Sequence, residues 1–217
     1  MGWSLFKRKS ELARLLEGYE PYRRPFPGSS NQITLEQAQA NLAYLLNNST
    51  HRVTVLGQLM RYWKVDVHNT AEIEPLLDSM DLWAEREWPS IFERRLSDRA
   101  TWHRSSRDGR DIVFSLLMDV SIFLGGLIIE RAPSCSWALD LSRDSEESSM
   151  ESFKRPIVLI ENASFEDPLV ILDIEAIVFG RYQASALPPA VNAGLFRRVV
   201  LDAIHQADSP WRNGVRV

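Results

Sequence analysis

The sequence predicts an α+β fold: a mostly helical single domain around one central apolar helix, with a small antiparallel β-sheet in the C-terminal half. Three observations carry this reading. Residues Ile112 to Ile129 run for eighteen positions with one formal charge, Asp119. Ahead of that run lie segments with apolar residues at helical period and recognisable caps. After Pro133 the texture changes to short alternating and β-branched stretches. The chain divides into a helical part, 1–132, and an α+β part, 133–217, packed on it. At 217 residues it is long enough to bury one full core.

From the N-terminus, Met1–Leu16 places Lys7, Arg8 and Lys9 behind the short apolar run Trp3–Phe6, with Glu11 and Arg14 close behind them. That order does not suit a secretory signal, and the expected compartment is the cytoplasm. Tyr19–Pro27, rich in proline, reads as an extended strap across the helices, with Tyr19, Tyr22 and Phe26 ready to pack. Thr34 and Gln37 have capping-box spacing, and Leu35, Ala38, Leu42, Leu45 and Leu46 continue at helical period. The Asn47-Asn48-Ser49 cluster is expected to end that helix, and Val55, Leu56, Leu59, Met60 and Trp63 to mark the next. Pro75 suits a first helical turn, with Leu76, Leu77, Met80, Trp83 and Ala84 as its buried stripe. Ser97 caps a short helix to His103, and Asp108 or Asp111 opens the long helix, which stops before Pro133. Residues 137–141 and 156–160 read as two strands of a hairpin joined by the polar connection Ser142–Ser152. Asp167-Pro168 resembles a helix start followed by Val170, Ile171, Ile174, Ile177 and Val178, with a strand over 169–174 as the alternative. Pro188-Pro189 precedes a last amphipathic helix through Phe196, Val199, Val200, Ala203 and Ile204.

Composition narrows the function classes. Hydrophobic residues make up 45% and charged ones 25%, which are ordinary globular values. A net charge of −4 offers no general attraction to nucleic acid or to an anionic membrane surface. One cysteine, Cys135, excludes an intramolecular disulfide framework and suits a reducing compartment. The Ile112–Ile129 run is at the short end for a membrane span, and a central Asp119 is costly in lipid. A core helix is the better reading.

The catalytic inventory is thin. The sequence has no nucleophile elbow, no phosphate-cradling glycine loop and no Cys-x-x-Cys. His51, His68, His103 and His205 are scattered, and the Asp202/His205 pair at i,i+3 suits a surface hydrogen bond better than a metal. No metal and no cofactor is expected. Gly125-Gly126 inside the long helix suggests close approach of a neighbouring helix. Asp119 has two readings: a buried carboxylate fixed by an arginine or by backbone donors, or a cleft acid with Glu130 and Glu175 as companions.

Charge clusters supply a second lead. Arg94, Arg95, Arg99, Arg104, Arg107 and Arg110 crowd one segment with Trp102 and His103. The interspersed Asp98 and Asp108 favour a solvated helix surface over phosphate contact. The opposite patch is the connection carrying Asp144, Glu146, Glu147 and Glu151, suited to a basic partner surface. Trp102 or Trp211 would then be the aromatic anchor beside it.

The string Asp119-Val-Ser-Ile-Phe123-Leu124-Gly125, the Trp137 strand and Asp173-Ile-Glu175 through Gly180-Arg-Tyr182 resemble a pattern in small uncharacterised bacterial proteins. In some of these an acid follows the Leu-Gly, where this chain has Gly126. Their general appearance is similar to that of immunity proteins, which neutralise secreted bacterial toxins. The resemblance covers about a third of the chain, and its motifs are packing motifs that transfer no catalytic residue. It favours a partner-binding protein over an enzyme. With the cytoplasmic reading of the N-terminus and the acidic connection, the expectation is a non-catalytic, cytoplasmic protein-binding module whose partner is a protein, for instance a toxin with a basic surface. The alternative is a hydrolase or small-ligand-binding enzyme with a cleft around Asp119, Glu130 and Glu175.

Overall fold

Leu35 to Met60 form one unbroken helix, although an Asn-Asn-Ser cluster sits in its middle. The computed structural model describes residues 10–161, 169–188 and 193–208. Its elements are α1 (Glu11–Leu16), α2 (Leu35–Met60), α3 (Ile73–Ile91), α4 (Arg99–Arg104) and α5 (Val113–Arg131), then β1 (Cys135–Leu139) and α6 (Arg143–Glu147). After these come β2 (Pro156–Glu161), β3 (Leu169–Leu172), α7 (Ile174–Gln183) and α8 (Leu195–Ala207). The Thr34–Gln37 capping box opens α2 as expected. The expected break at residues 47–49 is overturned because the polar side chains turn back onto the helix. Asn48 Nδ2 donates to the Tyr44 carbonyl at 2.8 Å, and Ser49 Oγ to the Leu46 carbonyl at 3.1 Å. Residues that favour turns can thus continue a helix when their side chains bond its own carbonyls.

α5 is the axis of the molecule. Of its residues Val113–Ile128, Gly126 alone is exposed. α2, α7, α8 and β1 surround it, and one contiguous apolar core runs from Leu12 to Ala207. The helix is long and apolar enough to cross a membrane by length and composition, yet 83% of its most apolar window is buried against protein. Its start differs from expectation. A short 3-10 turn, Gly109–Asp111, leads in, and Ile112 occupies the cap position without a side-chain hydrogen bond. Asp98 rather than Ser97 caps α4, its carboxylate accepting from Thr101 N at 2.7 Å.

The sheet is antiparallel with order β1-β2-β3, β2 in the centre. Trp137 pairs with Val158, and Val158 with Leu172. The expected hairpin is present, shifted so that β1 begins at Cys135 and ends at Leu139. Asp140 leaves the sheet to accept from Ser142 N at 3.1 Å and from Ser152 Oγ at 2.5 Å. This buried carboxylate closes the connection into a folded tip carrying α6. Residues 169–172 are the third strand, which decides for the strand alternative there against the helical reading of Val170 and Ile171. Helix α7 starts at Ile174, with Asp173 accepting from Ala176 N at 2.9 Å. Asp167-Pro168, read as the helix start, lies outside the described residues.

The glycine pair divides sharply. A Cβ on Gly125 would lie 2.3 Å from Trp137 Cζ2, whereas one on Gly126 would meet nothing within 4 Å. Gly125 admits a strand's tryptophan, not a neighbouring helix, which corrects the expectation. The strap packs through Tyr19 and Tyr22 as expected, whereas the Phe26 side chain is exposed and only its backbone is held. Tyr22 N donates to Ser115 Oγ at 2.7 Å, and Asn41 brackets Phe26 with bonds of 3.0 and 2.8 Å to its N–H and carbonyl.

Candidate functional site

An acid–base cleft would need carboxylates left free to exchange protons, and the buried acids are not free. Asp119 is fully buried. Arg52, one α2 turn before Val55 and Leu56 in the core, reaches it with two parallel bonds, Nε to Oδ1 at 2.8 Å and Nη2 to Oδ2 at 2.6 Å. Tyr19 of the strap donates its hydroxyl to Oδ2 at 2.5 Å. Arg52 also bonds the Glu20 carbonyl at 2.7 Å and the Glu20 carboxylate at 3.1 Å. Burial lifts the Asp119 carboxyl to about 6, and Arg52 and Tyr19 hold it from rising further. Desolvation and the Asp119 charge push the Tyr19 phenol well above its ordinary range. Both oxygens of Asp119 are engaged, so the group ties α5, α2 and the strap together.

Glu175, at the start of α7, sits in a second network. Arg107 Nη2 donates to its Oε1 at 2.5 Å, Trp102 Nε1 to the same oxygen at 2.9 Å, and Arg155 Nη2 to Oε2 at 3.0 Å. Burial opposes ionisation, but Arg107, Arg155 and Arg24 win and hold this carboxyl far below the usual range. Asp173 lies behind Arg155, 3.2 Å from its Nη1, and burial raises its carboxyl. Glu130 shares neither environment: it is exposed and accepts from Thr70 Oγ1 at 3.3 Å. Asp119, Glu130 and Glu175 therefore form no common acid–base cleft, which corrects that expectation.

Trp102 is also corrected. It is 1% exposed, stacked on Phe179 at 4.3 Å and under the Arg155 guanidinium at 4.2 Å, so it anchors the interior rather than a partner. Trp211 lies outside the described residues. The basic segment 94–110 is likewise no uniform patch. Arg95 pairs with Asp111 at 2.7 Å, Arg99 with Glu151 at 2.9 Å, and Arg107 is interior.

The acidic connection remains at the surface. Ser142 caps α6, accepting from Ser145 N at 3.2 Å, and Asp144, Glu146 and Glu147 on this helix are all exposed. Glu147 is partly balanced by Arg143, Nε to Oε1 at 2.5 Å. Glu151 departs from the expected cluster: half-buried, it holds Arg99 and shares a hydrogen bond of 2.8 Å with His103 Nε2. Burial and the nearby Arg155 lower the His103 imidazole. Two apolar side chains frame α6, Leu141 at 50% exposure and Met150 at 51%. Beside Met150 opens a cleft of about 380 Å³ whose lining includes Glu146, Glu151, His103, Phe153 and Lys154. The exposed Leu141 and Met150 were not legible as anchors: Leu141 continues the alternation of the 137–141 strand reading, while β1 ends at Leu139, and Met150 sits in a polar stretch. A larger groove of about 480 Å³ lies between α1, the strap and the end of α3, with mixed charges Glu17, Arg23, Glu93, Asp108 and Arg110 at its walls.

Among the described residues, no group of three or more His, Cys, Asp or Glu side chains is arranged to hold a metal ion. Comparison with protein-family models, curated proteins and solved structures finds no match to this chain.

Proposed function

We propose that the protein is a non-catalytic protein-binding module of the immunity type, which engages a basic surface of a partner protein, such as a toxin, through the α6 tip. The observation that carries this reading is the pairing of a net-negative helix, three acids against Arg143, with apolar anchors. Asp144, Glu146 and Glu147 are exposed on one short helix, between Leu141 and Met150 in the chain, and Glu146 and Met150 also line the 380 Å³ cleft. Charge of one sign accelerates encounter with an oppositely charged surface, and the desolvated apolar contact at the centre supplies most of the affinity. Leu141 and Met150 take the anchoring role that Trp102, being interior, cannot. The division of labour inside the molecule supports the same reading. The buried acids Asp119, Asp81 and Glu175 are each engaged by arginines or backbone donors, an arrangement that builds a rigid scaffold rather than a proton-transfer site. A cytoplasmic setting is part of this proposal, resting on the charge order at the N-terminus and the single Cys135.

The test uses the parent, the D144N/E146Q/E147Q triple variant and the L141S/M150S double variant as parallel baits. A basic protein recovered with the parent and reduced about tenfold or more with each variant supports the reading. Equal recovery by all three baits overturns it.

A further inference from the structure

Three arginines converge where the strap, the 105–108 turn and the start of β2 meet. Arg24, Arg107 and Arg155 line a small interior cavity together with Tyr22, Lys154 and Glu175. Arg107 and Arg155 are 1% and 3% exposed. Each commits only part of its donor set to protein. Arg107 Nη2 and Arg155 Nη2 bond Glu175, and Arg24 Nη2 donates to the His103 carbonyl. Nε and Nη1 of Arg107, Nε of Arg155 and Nε of Arg24 are buried without an acceptor among the described residues. Arg155 Nη1 faces Asp173 at 3.2 Å without hydrogen-bond alignment.

Such donors are costly. A buried, unmatched polar N–H costs about 1–3 kcal/mol, and more on a cation. The charge balance points the same way. Four cations line the cavity against the one carboxylate of Glu175, and Asp173 behind Arg155 adds a second whose ionisation burial opposes. Lys154 Nζ is directed to the carbonyls of Ser30 and Ile33, which do not cancel its charge. The crowding draws Arg24 down to about 9, through burial first and Arg107 next.

We propose that this cavity is a binding site for one small monatomic anion of chloride size, held by the free N–H groups of Arg24, Arg107 and Arg155. The space for the centre of a water-sized sphere is about 20 Å³, and about 10–15 Å³ suffices for one water, so a single spherical ion fits. The anion bridges Arg24 on the strap to Arg107 and Arg155 in the interior, so halide binding stabilises the strap against the core.

Melting of the parent in sodium chloride, sodium bromide and sodium gluconate at equal ionic strength tests this, with bromide diffraction at its absorption edge as the second measurement. The expected result is a melting temperature higher by a few degrees in either halide, saturating with concentration, and an anomalous bromide peak between the three arginines. Gluconate is the stronger general stabiliser of compact states, so a halide advantage runs against the generic salt order. Arg24→Gln, on the half-exposed strap, should keep the fold and lose the halide advantage. Equal melting of the parent in chloride and gluconate, or density for water alone at the site in bromide crystals, overturns the proposal.

Discussion

Arg52 and Asp119, 67 residues apart in sequence, meet in a two-point ion pair in which both side chains are almost wholly shielded from solvent. Removing one partner leaves an uncompensated buried charge, typically a loss of about 3–5 kcal/mol. We therefore expect Asp119→Ala to destabilise by about 3 kcal/mol, Glu20 retaining part of the Arg52 charge, and Asp119→Asn by less. Arg52→Met combined with Asp119→Leu should lose less than the two single changes added together. Denaturant melts of these variants beside the parent provide the check, and unchanged stability in Asp119→Ala would remove the structural role.

Acid sensitivity follows from Glu175. Its carboxyl titrates far below the ordinary value of 4.5 in the folded protein, so the unfolded chain takes up a proton that the native state refuses. That contribution is complete above about pH 5 and is lost as pH falls through 4.5 and below. Asp119 acts in the opposite sense. Its folded value of about 6 exceeds the ordinary 3.8, so its contribution weakens as pH rises between those values. Stability measured from about pH 3 to 7 should show a shallower acid-side decline in Glu175→Gln than in the parent. Parallel pH profiles for the two would contradict the assignment.

The glycine pair offers a contrast within one helix turn. Gly125→Ala forces Trp137 to move and should cost about 1–3 kcal/mol. Gly126→Ala meets open space and should stabilise by up to about 1 kcal/mol, because alanine restricts the unfolded chain and favours the helix. Thermal melts of the two variants must shift in opposite directions.

Asp81 supplies what α8 lacks. Gly194 precedes that helix with φ +64° and no capping side chain, and Asp81 on α3 accepts from Phe196 N at 3.1 Å and Arg197 N at 3.0 Å. Loss of a cap costs about 0.5–2 kcal/mol, with the buried Arg181 contact at 3.3 Å adding to it. Asp81→Ala should melt lower and speed amide exchange in the first turn of α8 ahead of the other helices. An unchanged exchange pattern there would exclude the capping role.

Periodic features are legible in the sequence and long-range ones are not. α5, the α3 stripe, the capping box of α2 and the hairpin follow from period, spacing and breaker residues. A carboxylate inside an eighteen-residue apolar run announces that it needs a partner, so the structural reading of Asp119 was available. The identity of that partner was not, because Arg52 lies on another helix with nothing local to distinguish it. Asn47–Ser49 misleads for a physical reason: the same side chains that bond backbone in a turn bond i−3 and i−4 carbonyls in a helix. Leu169–Leu172 misleads because four apolar residues before an N-cap read as a helix start or as an edge strand, and only pairing with β2 decides. At the tip, the acids were readable and the burial of Trp102 was not, since its surroundings come from His103, Arg155, Glu175 and Phe179.

If α6 steers a basic partner onto the Leu141–Met150 anchors, the effect must appear in the rate of encounter. Association rates with the captured partner, measured for the parent and the D144N/E146Q/E147Q variant across a salt series, test this most directly. Rim charges act on encounter, so the parent should associate about tenfold or more faster at low salt, with the two rates converging as salt screens the field. The variant's melting temperature should match the parent's, because all three acids are exposed. Identical association rates at low salt would contradict the steering role and take the tip out of the interface.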